Sequence, residues 1–298
     1  MPKPTLANWL SVGLLGLIWG ATFMVVALAL KGYGPVTVAA ARTGLGAVAL
    51  VAAVAIDRRP LPVVSRRFAA HVLVIGLFST ALPFFLLSWG QQSVPSAFAG
   101  LSMAAVPLFV IPLAHIVVPG ERLTVAKLMG FVLGFAGVLV LVGNEAFAAD
   151  GALLPRLACV AAALCYAIAS ITTRRCPPVD AVVLTALALV VGSVALVPIM
   201  LLTEGIPAAA APQAMLAIVI LGLVPTALAT LLRVATIRSA GPSFTTLTSY
   251  QVPLWSAFFG ATVLGEQLSP RFLAALILIL AGLALSQHQA LRQAPRSS

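Results

Sequence analysis

The chain has 298 residues, of which 61% are hydrophobic and only 8% charged, with a mean hydropathy of +1.13. A soluble domain carries roughly 25% charged residues, so a water-soluble fold is excluded, and lipid is the solvent that such an exterior suits. The formal net charge of +10 is no nucleic-acid footprint, because the basic residues lie between apolar runs, where membrane topology accounts for them.

A spanning helix needs about 20 mostly apolar residues. Turn residues and charges cut the chain into ten such runs, at 8–30, 35–56, 69–90, 95–118, 124–143, 152–173, 180–202, 213–236, 242–264 and 270–287. The first is too long for a signal-peptide core and lacks a clear cleavage site, so it reads as a retained span. At its centre Trp19 and Phe23 stand one helical turn apart. The second run holds Arg42, the most interior charge of the chain. In the fourth, Ser102 and Met103 precede Pro107; in the fifth, Gly130, Gly134 and Gly137 make a small-residue face suited to helix packing. Tyr166 lies in the sixth, and the ninth places Tyr250 and Gln251 just before Pro253. The short connections leave no room for a soluble domain.

Orientation follows from Lys and Arg. With the N-terminus in the cytoplasm, 13 basic residues fall on the inner side and only Lys31, Arg156 and Arg271 on the outer, with Arg42 inside a span. Ten spans with both termini cytoplasmic fit that bias, and an odd number would scramble it.

Sliding the chain by 146 residues exposes an internal repeat. Gly76-Leu77 falls on Gly222-Leu223, Thr80-Ala81-Leu82 on Thr226-Ala227-Leu228, and Val106-Pro107-Leu108 on Val252-Pro253-Leu254, giving 12 identities across the 33 positions from 76 to 108. After one residue of slippage, Gly120-Glu121-Arg122-Leu123 meets Gly265-Glu266-Gln267-Leu268. The halves are 1–146 and 147–298 within one integrated transmembrane unit. Each holds five spans, so the second enters the membrane from the opposite side. Inverted repeats of this kind are common in secondary transporters, with substrate held near the midplane between the halves.

Trp19-Gly20-Ala21-Thr22-Phe23, Arg42, the paired prolines Pro107 and Pro253, the two Gly-Glu segments and the glycines of the fifth span occur in an order that resembles the EamA-type members of the drug/metabolite transporter superfamily. The resemblance implies an all-α fold of ten helices with both termini cytoplasmic. Within that family the chain is most similar to bacterial inner-membrane exporters of amino acids, those that move aromatic ones. One departure bears on packing: Ala275 stands where the repeat partner of Gly130 belongs.

Pro107 and Pro253 each remove a backbone donor and push on the carbonyl four residues back. A freed carbonyl in lipid is costly unless it faces protein or a cavity, so the two symmetric kinks read as hinges around a central cavity. Candidates to line it are Trp19, Phe23, Ser102, Met103, Tyr166, Tyr250 and Gln251; packing, with hydroxyls bonded to helix carbonyls, is the competing account of each. Arg42 snorkels to the outer interface, is paired structurally within the protein, or holds a substrate carboxylate.

The expected partner is a small metabolite, such as an amino acid, in a lipid membrane, with no nucleic acid; oligomeric state is left open. A multidrug or other metabolite exporter of the same fold is the alternative. A membrane enzyme needs converging acids, bases or metal ligands, and all seven acids and three histidines stand at loops, span ends or the tail. No catalytic site, metal site or cofactor is expected. Cys159, Cys165 and Cys176 match no metal or redox spacing.

Overall fold

The computed structural model describes residues 5–117, 123–143, 153–240, 242–245 and 247–292. The expectations for Gly120, Glu121 and Arg122, and for the connection from Asn144 to Gly151, lie outside them. The described residues are helical, with no strand among them.

Among the described residues, eight helices are long and apolar enough to cross a membrane: α1 Leu6–Ala29, α2 Pro35–Ile56, α3 Arg66–Gly90, α4 Ser96–Val117, α5 Val125–Val142, α6 Leu153–Arg175, α7 Ala181–Thr203 and α8 Pro212–Ala240. A short turn, Pro242–Thr245, leads to α9, Thr248–Val263, and α10 is Pro270–Arg292, with a shorter apolar stretch Pro270–Ser286. The ninth run was expected to be one helix over 242–264, and its first turn is instead set apart.

Local chemistry starts most of these helices within two residues of the expected bounds; α3 starts at Arg66, three residues before the expected 69. Thr5, Ser65, Thr124, Asp180 and Ser269 accept from amides of the first turns they precede. Pro35, Pro212 and Pro270 occupy first helical positions, where a missing amide costs nothing. Two caps come from distant residues. Both Glu204 oxygens accept from Val36 and Thr37 amides (2.9 and 2.8 Å), and both Glu266 oxygens from Ser96 and Ala97 amides (2.6 and 3.0 Å). Gly265 has φ +70, a left-handed turn that glycine adopts without strain, and Glu266 follows it. At the other end of a helix, Arg156 and Arg271 donate to the Val142 and Val140 carbonyls of α5, where a cation also suits the dipole.

The packing repeats itself. α1 lies against α8 and α9, and α6 lies against α3 and α4. α2 packs on α7 and on the middle of α8, and α7 packs on the middle of α3. α4 meets α9, and α5 meets α10. Moving every helix five places along the chain converts each of these pairings into another or into itself. The α5–α10 seam is made by small residues: a Cβ on Gly282 would lie 2.6 Å from the Gly130 carbonyl and 2.7 Å from the Gly134 Cα. Ala275 is fully buried and sits among this core, so its departure from glycine does not open the seam.

The largest buried cluster surrounds α4, whose residues Ser96 to Ser102 are all buried, and includes Phe23, Cys159, Val252 and Ile279. Large apolar side chains such as Leu14, Val48, Met129, Val194 and Ile277 are left exposed on the outside, as a lipid-facing surface requires.

Candidate functional site

Both α3 and α8 widen at mid-length. Leu77–Ala81 and Gly222–Leu228 are π-helical turns, a form found mostly as single-turn bulges, frequently at functional sites. They fall on each other at the offset of 146 residues. In α8 the cause is Pro225, which lacks an amide and presses on the carbonyl four residues back, at Leu221. That carbonyl is satisfied by the Thr226 hydroxyl at 2.8 Å. In α3, Pro83 likewise withdraws a donor from Ser79, and the Thr80 hydroxyl donates to the Gly76 carbonyl at 2.6 Å.

Each widened turn crosses a helix of the other half at a glycine. A Cβ on Gly46 would meet the Thr226 methyl at 2.6 Å, and one on Gly192 would collide with the Thr80 hydroxyl. Thr80 also reaches the Ala188 carbonyl at 3.5 Å. Gly192 and Ala188 stand 146 residues after Gly46 and Arg42, so the crossings share their threonine and their glycine but differ one turn before the glycine. Where one has alanine, the other has Arg42.

Arg42 does not snorkel, since only 8% of it is exposed. Its Nε donates to the Thr226 hydroxyl at 3.0 Å, and its guanidinium carbon lies 3.8 Å from the centre of the Phe84 ring. Tyr166 packs against the cluster that contains Phe84. No carboxylate among the described residues neutralises it. Glu204 and Glu266 hold helix amides, and Asp57 and Asp180 pair with Arg59 at 2.8 and 3.1 Å. Asp180 also binds Arg238 at 2.7 Å. Burial pushes the Asp180 carboxyl up, but the Val182 and Val183 amides with Arg238 and Arg59 outweigh it and hold the group below the ordinary carboxylate value.

The other expected cavity residues separate into two sets. Trp19 donates from Nε1 to the Pro225 carbonyl at 3.2 Å, which ties α1 to the widened turn of α8. Tyr166 bridges the main cluster and the one containing Phe84, as Trp19 bridges two clusters on its own side. These two therefore gather with Arg42 at the paired crossings. Phe23 and Ser102 are instead sealed in the core, Ser102 donating to Phe98 one turn back. Met103 packs partly buried against the same core, Tyr250 donates to the Leu283 carbonyl of α10 at 3.4 Å, and the Gln251 side chain lies on Gly16 of α1. Ahead of Pro107, Met103–Ala105 form a 3-10 turn in which the Val106 amide takes the Met103 carbonyl that the proline cannot. Pro253 stays inside α9 and accepts from Ser256.

Thr226, Pro225 and Phe84 were not among the residues singled out from sequence. The signal for Thr226 was present, as a polar identity between the halves in the middle of a span. Phe84 carried none, being one apolar residue among many. Two clefts open at opposite ends of the bundle. One, about 330 Å³, lies beside Gly34, Thr37 and Glu204, and the other, about 280 Å³, beside Arg67, His71, Thr172 and Arg175.

The EamA-like transporter family model matches the chain over residues 8–143 and again over 154–287. An uncharacterized transporter of Bacillus subtilis (strain 168), YoaV, is 26% identical over 273 residues, 91% of this chain and 93% of that protein. A probable terminal-alkyne amino-acid exporter of Streptantibioticus cattleyicolor is 30% identical over 125 residues, 41% of this chain and 40% of its own. A solved crystal structure is similar with a TM-score of 0.67 at 23% identity, covering 97% of this chain and 99% of its own, a likeness of fold alone.

Proposed function

The chain belongs to the EamA-like transporter family, part of the drug/metabolite transporter superfamily, and from that premise we propose that it is a secondary exporter or facilitator of amino acids, aromatic ones included, in the bacterial inner membrane. Its family and named relatives are transporters, not enzymes, and it is a multi-pass membrane protein. In the proposed arrangement α9 and α10 also span, which makes ten spans in two inverted halves with both termini cytoplasmic. The exclusion of all but three basic residues from the outer loops supports that topology. So does the grouping of Asp57, Arg59, Asp180 and Arg238 at one end of the bundle.

The observation that carries the transport reading is the pair of equivalent crossings, Thr226 on Gly46 and Thr80 on Gly192, each made by a π-widened helix of one half against the other half. Alternating access needs two related arrangements of nearly equal energy, and inverted halves joined by like contacts supply them. The π turns are the places where α3 and α8 bend most cheaply, because their ladders are already loosened. The central cavity that opens between the halves draws on Trp19, Tyr166, Tyr250, Gln251 and Met103, with Phe23 and Ser102 uncovered as the halves part. The amino-acid assignment is supported by the named activity of the Streptantibioticus relative.

The test is counterflow in liposomes that hold the purified chain, with labelled phenylalanine, tryptophan, leucine and glutamate. Saturable exchange of the aromatic and apolar amino acids is expected. Exchange of amphipathic drugs in place of every amino acid would favour the multidrug alternative and overturn this reading.

A further inference from the structure

We propose that Arg42 is the carboxylate anchor of the transport site, so that the protein moves small molecules bearing a carboxylate beside an apolar group and refuses organic cations. The proposal rests on the transport reading above and names the chemistry that the site selects.

Three observations carry it. First, the charge is buried and unneutralised. Arg42 is 8% exposed, lies within a span, and faces no carboxylate among the described residues. Charged side chains inside membrane spans are expensive and almost always paired or functional, and arginine does not shed its proton to escape the cost. A ligand that brings the missing negative charge is the natural partner.

Second, the guanidinium is held in one attitude with an edge left over. Thr226 takes Nε, and Phe84 lies against the face. Nη1 and Nη2 donate to no described residue, and neither is a sealed, unsatisfied atom. Two parallel N–H groups on a fixed plane match the two oxygens of a carboxylate. Tyr166 and Trp19 supply aromatic surface at the same crossings.

Third, the fold does not need the charge. The equivalent crossing of Thr80 with α7 has Ala188 in the place of Arg42, and it closes with the same glycine contact. A cation required for helix packing belongs at both crossings. A cation required for one cargo belongs at one. The same fixed charge repels an ammonium that approaches without a carboxylate, most strongly where the dielectric is low.

The experiment compares three probes of one shape: phenylalanine, 3-phenylpropionate, which lacks the ammonium, and phenethylamine, which lacks the carboxylate. Each competes against labelled phenylalanine in counterflow, and each is tested for thermal stabilisation of the detergent-solubilised protein. Phenylalanine and 3-phenylpropionate are expected to compete and stabilise, and phenethylamine to do neither. Arg42→Gln is expected to weaken both carboxylates roughly ten- to a hundredfold, the worth of a charge-assisted pair, with Arg42→Lys between it and the native chain.

Phenethylamine competing as well as phenylalanine overturns the proposal, and that arm needs no variant that might misfold. Unchanged carboxylate affinity in a folded Arg42→Gln protein overturns it too. Carboxylate-specific stabilisation that Arg42→Gln abolishes, without any transport, sinks the transport reading and leaves the anchor standing. Loss of both stabilisation and transport in the native chain overturns both.

Discussion

Thr226 takes part in two hydrogen bonds at once, accepting from Arg42 Nε and donating to the Leu221 carbonyl. Valine keeps its shape and removes both. That strands a charged donor and a carbonyl already short of a partner because of Pro225, and each buried group left unsatisfied costs about 1–3 kcal/mol. Thr80 is the internal control, since its hydroxyl serves the Gly76 carbonyl of its own helix and meets no charge. Thr226→Val is therefore expected to lower the melting temperature in detergent clearly more than Thr80→Val. Equal losses would mean that the Arg42 contact contributes nothing. At this scale the sequence singled out the charged and aromatic members of the proposed site, Arg42, Trp19 and Tyr166, because such residues stand out in an apolar span. It did not separate them from Tyr250 and Ser102, whose hydroxyls turn to the Leu283 and Phe98 carbonyls. That choice depends on which neighbour lies within 3 Å or so of the oxygen, and a one-dimensional pattern does not hold it.

The helices owe their close approach to a few glycines, and α2 contains a matched pair for testing this. Gly46 would press a Cβ into Thr226, whereas a Cβ on Gly44 meets nothing within 4 Å. Gly44→Ala adds helix propensity without a clash and is expected to leave thermal stability unchanged or slightly raised. Gly46→Leu forces α2 away from α8, an overpacking that costs about 1–3 kcal/mol or more. It is expected to melt earlier and to lose counterflow, because the crossing it spreads also holds Arg42 against Thr226. Normal transport by Gly46→Leu would remove this crossing from the mechanism. Helix positions were legible from apolar length and from punctuation such as Gly34-Pro35. The π turns were not. A single extra residue in a turn hardly disturbs a 3.6-residue pattern, and in a span apolar on every side there is little pattern to disturb. The repeat identity at Thr80-Ala81-Leu82 marked the place without disclosing its geometry.

For the whole molecule the remaining question is what drives the cycle. Carriers coupled to protons generally keep ionisable groups within the membrane, where protonation biases one conformation. Among the described residues every carboxylate is at a helix end and already engaged: Glu204 and Glu266 on the amides of α2 and α4, Asp57 and Asp180 with Arg59. The charges described well inside spans are the arginines Arg42 and Arg233, which keep their protons across the working pH range. Sodium sites of transporters use carboxylates or unwound carbonyls. Here two of the carbonyls that prolines deprive of an amide are spoken for, Leu221 by Thr226 and Met103 by Val106, and the Pro225 carbonyl is taken by Trp19. The proposed cycle therefore needs only that the empty and loaded forms both interconvert, and the substrate runs down its own gradient. Even the burial of Arg42 fits this scheme. A carboxylate that neutralises the cation lowers the cost of exposing either side, so that loaded protein turns over faster than empty protein, and exchange outpaces net flux. Liposomes with matched pH and matched sodium on both sides are expected to equilibrate labelled phenylalanine, and to do so faster when unlabelled phenylalanine waits inside. Accumulation above equilibrium that depends on an imposed proton gradient would overturn this scheme. It would direct attention to Glu266 and to Glu121, its partner in the other half of the sequence.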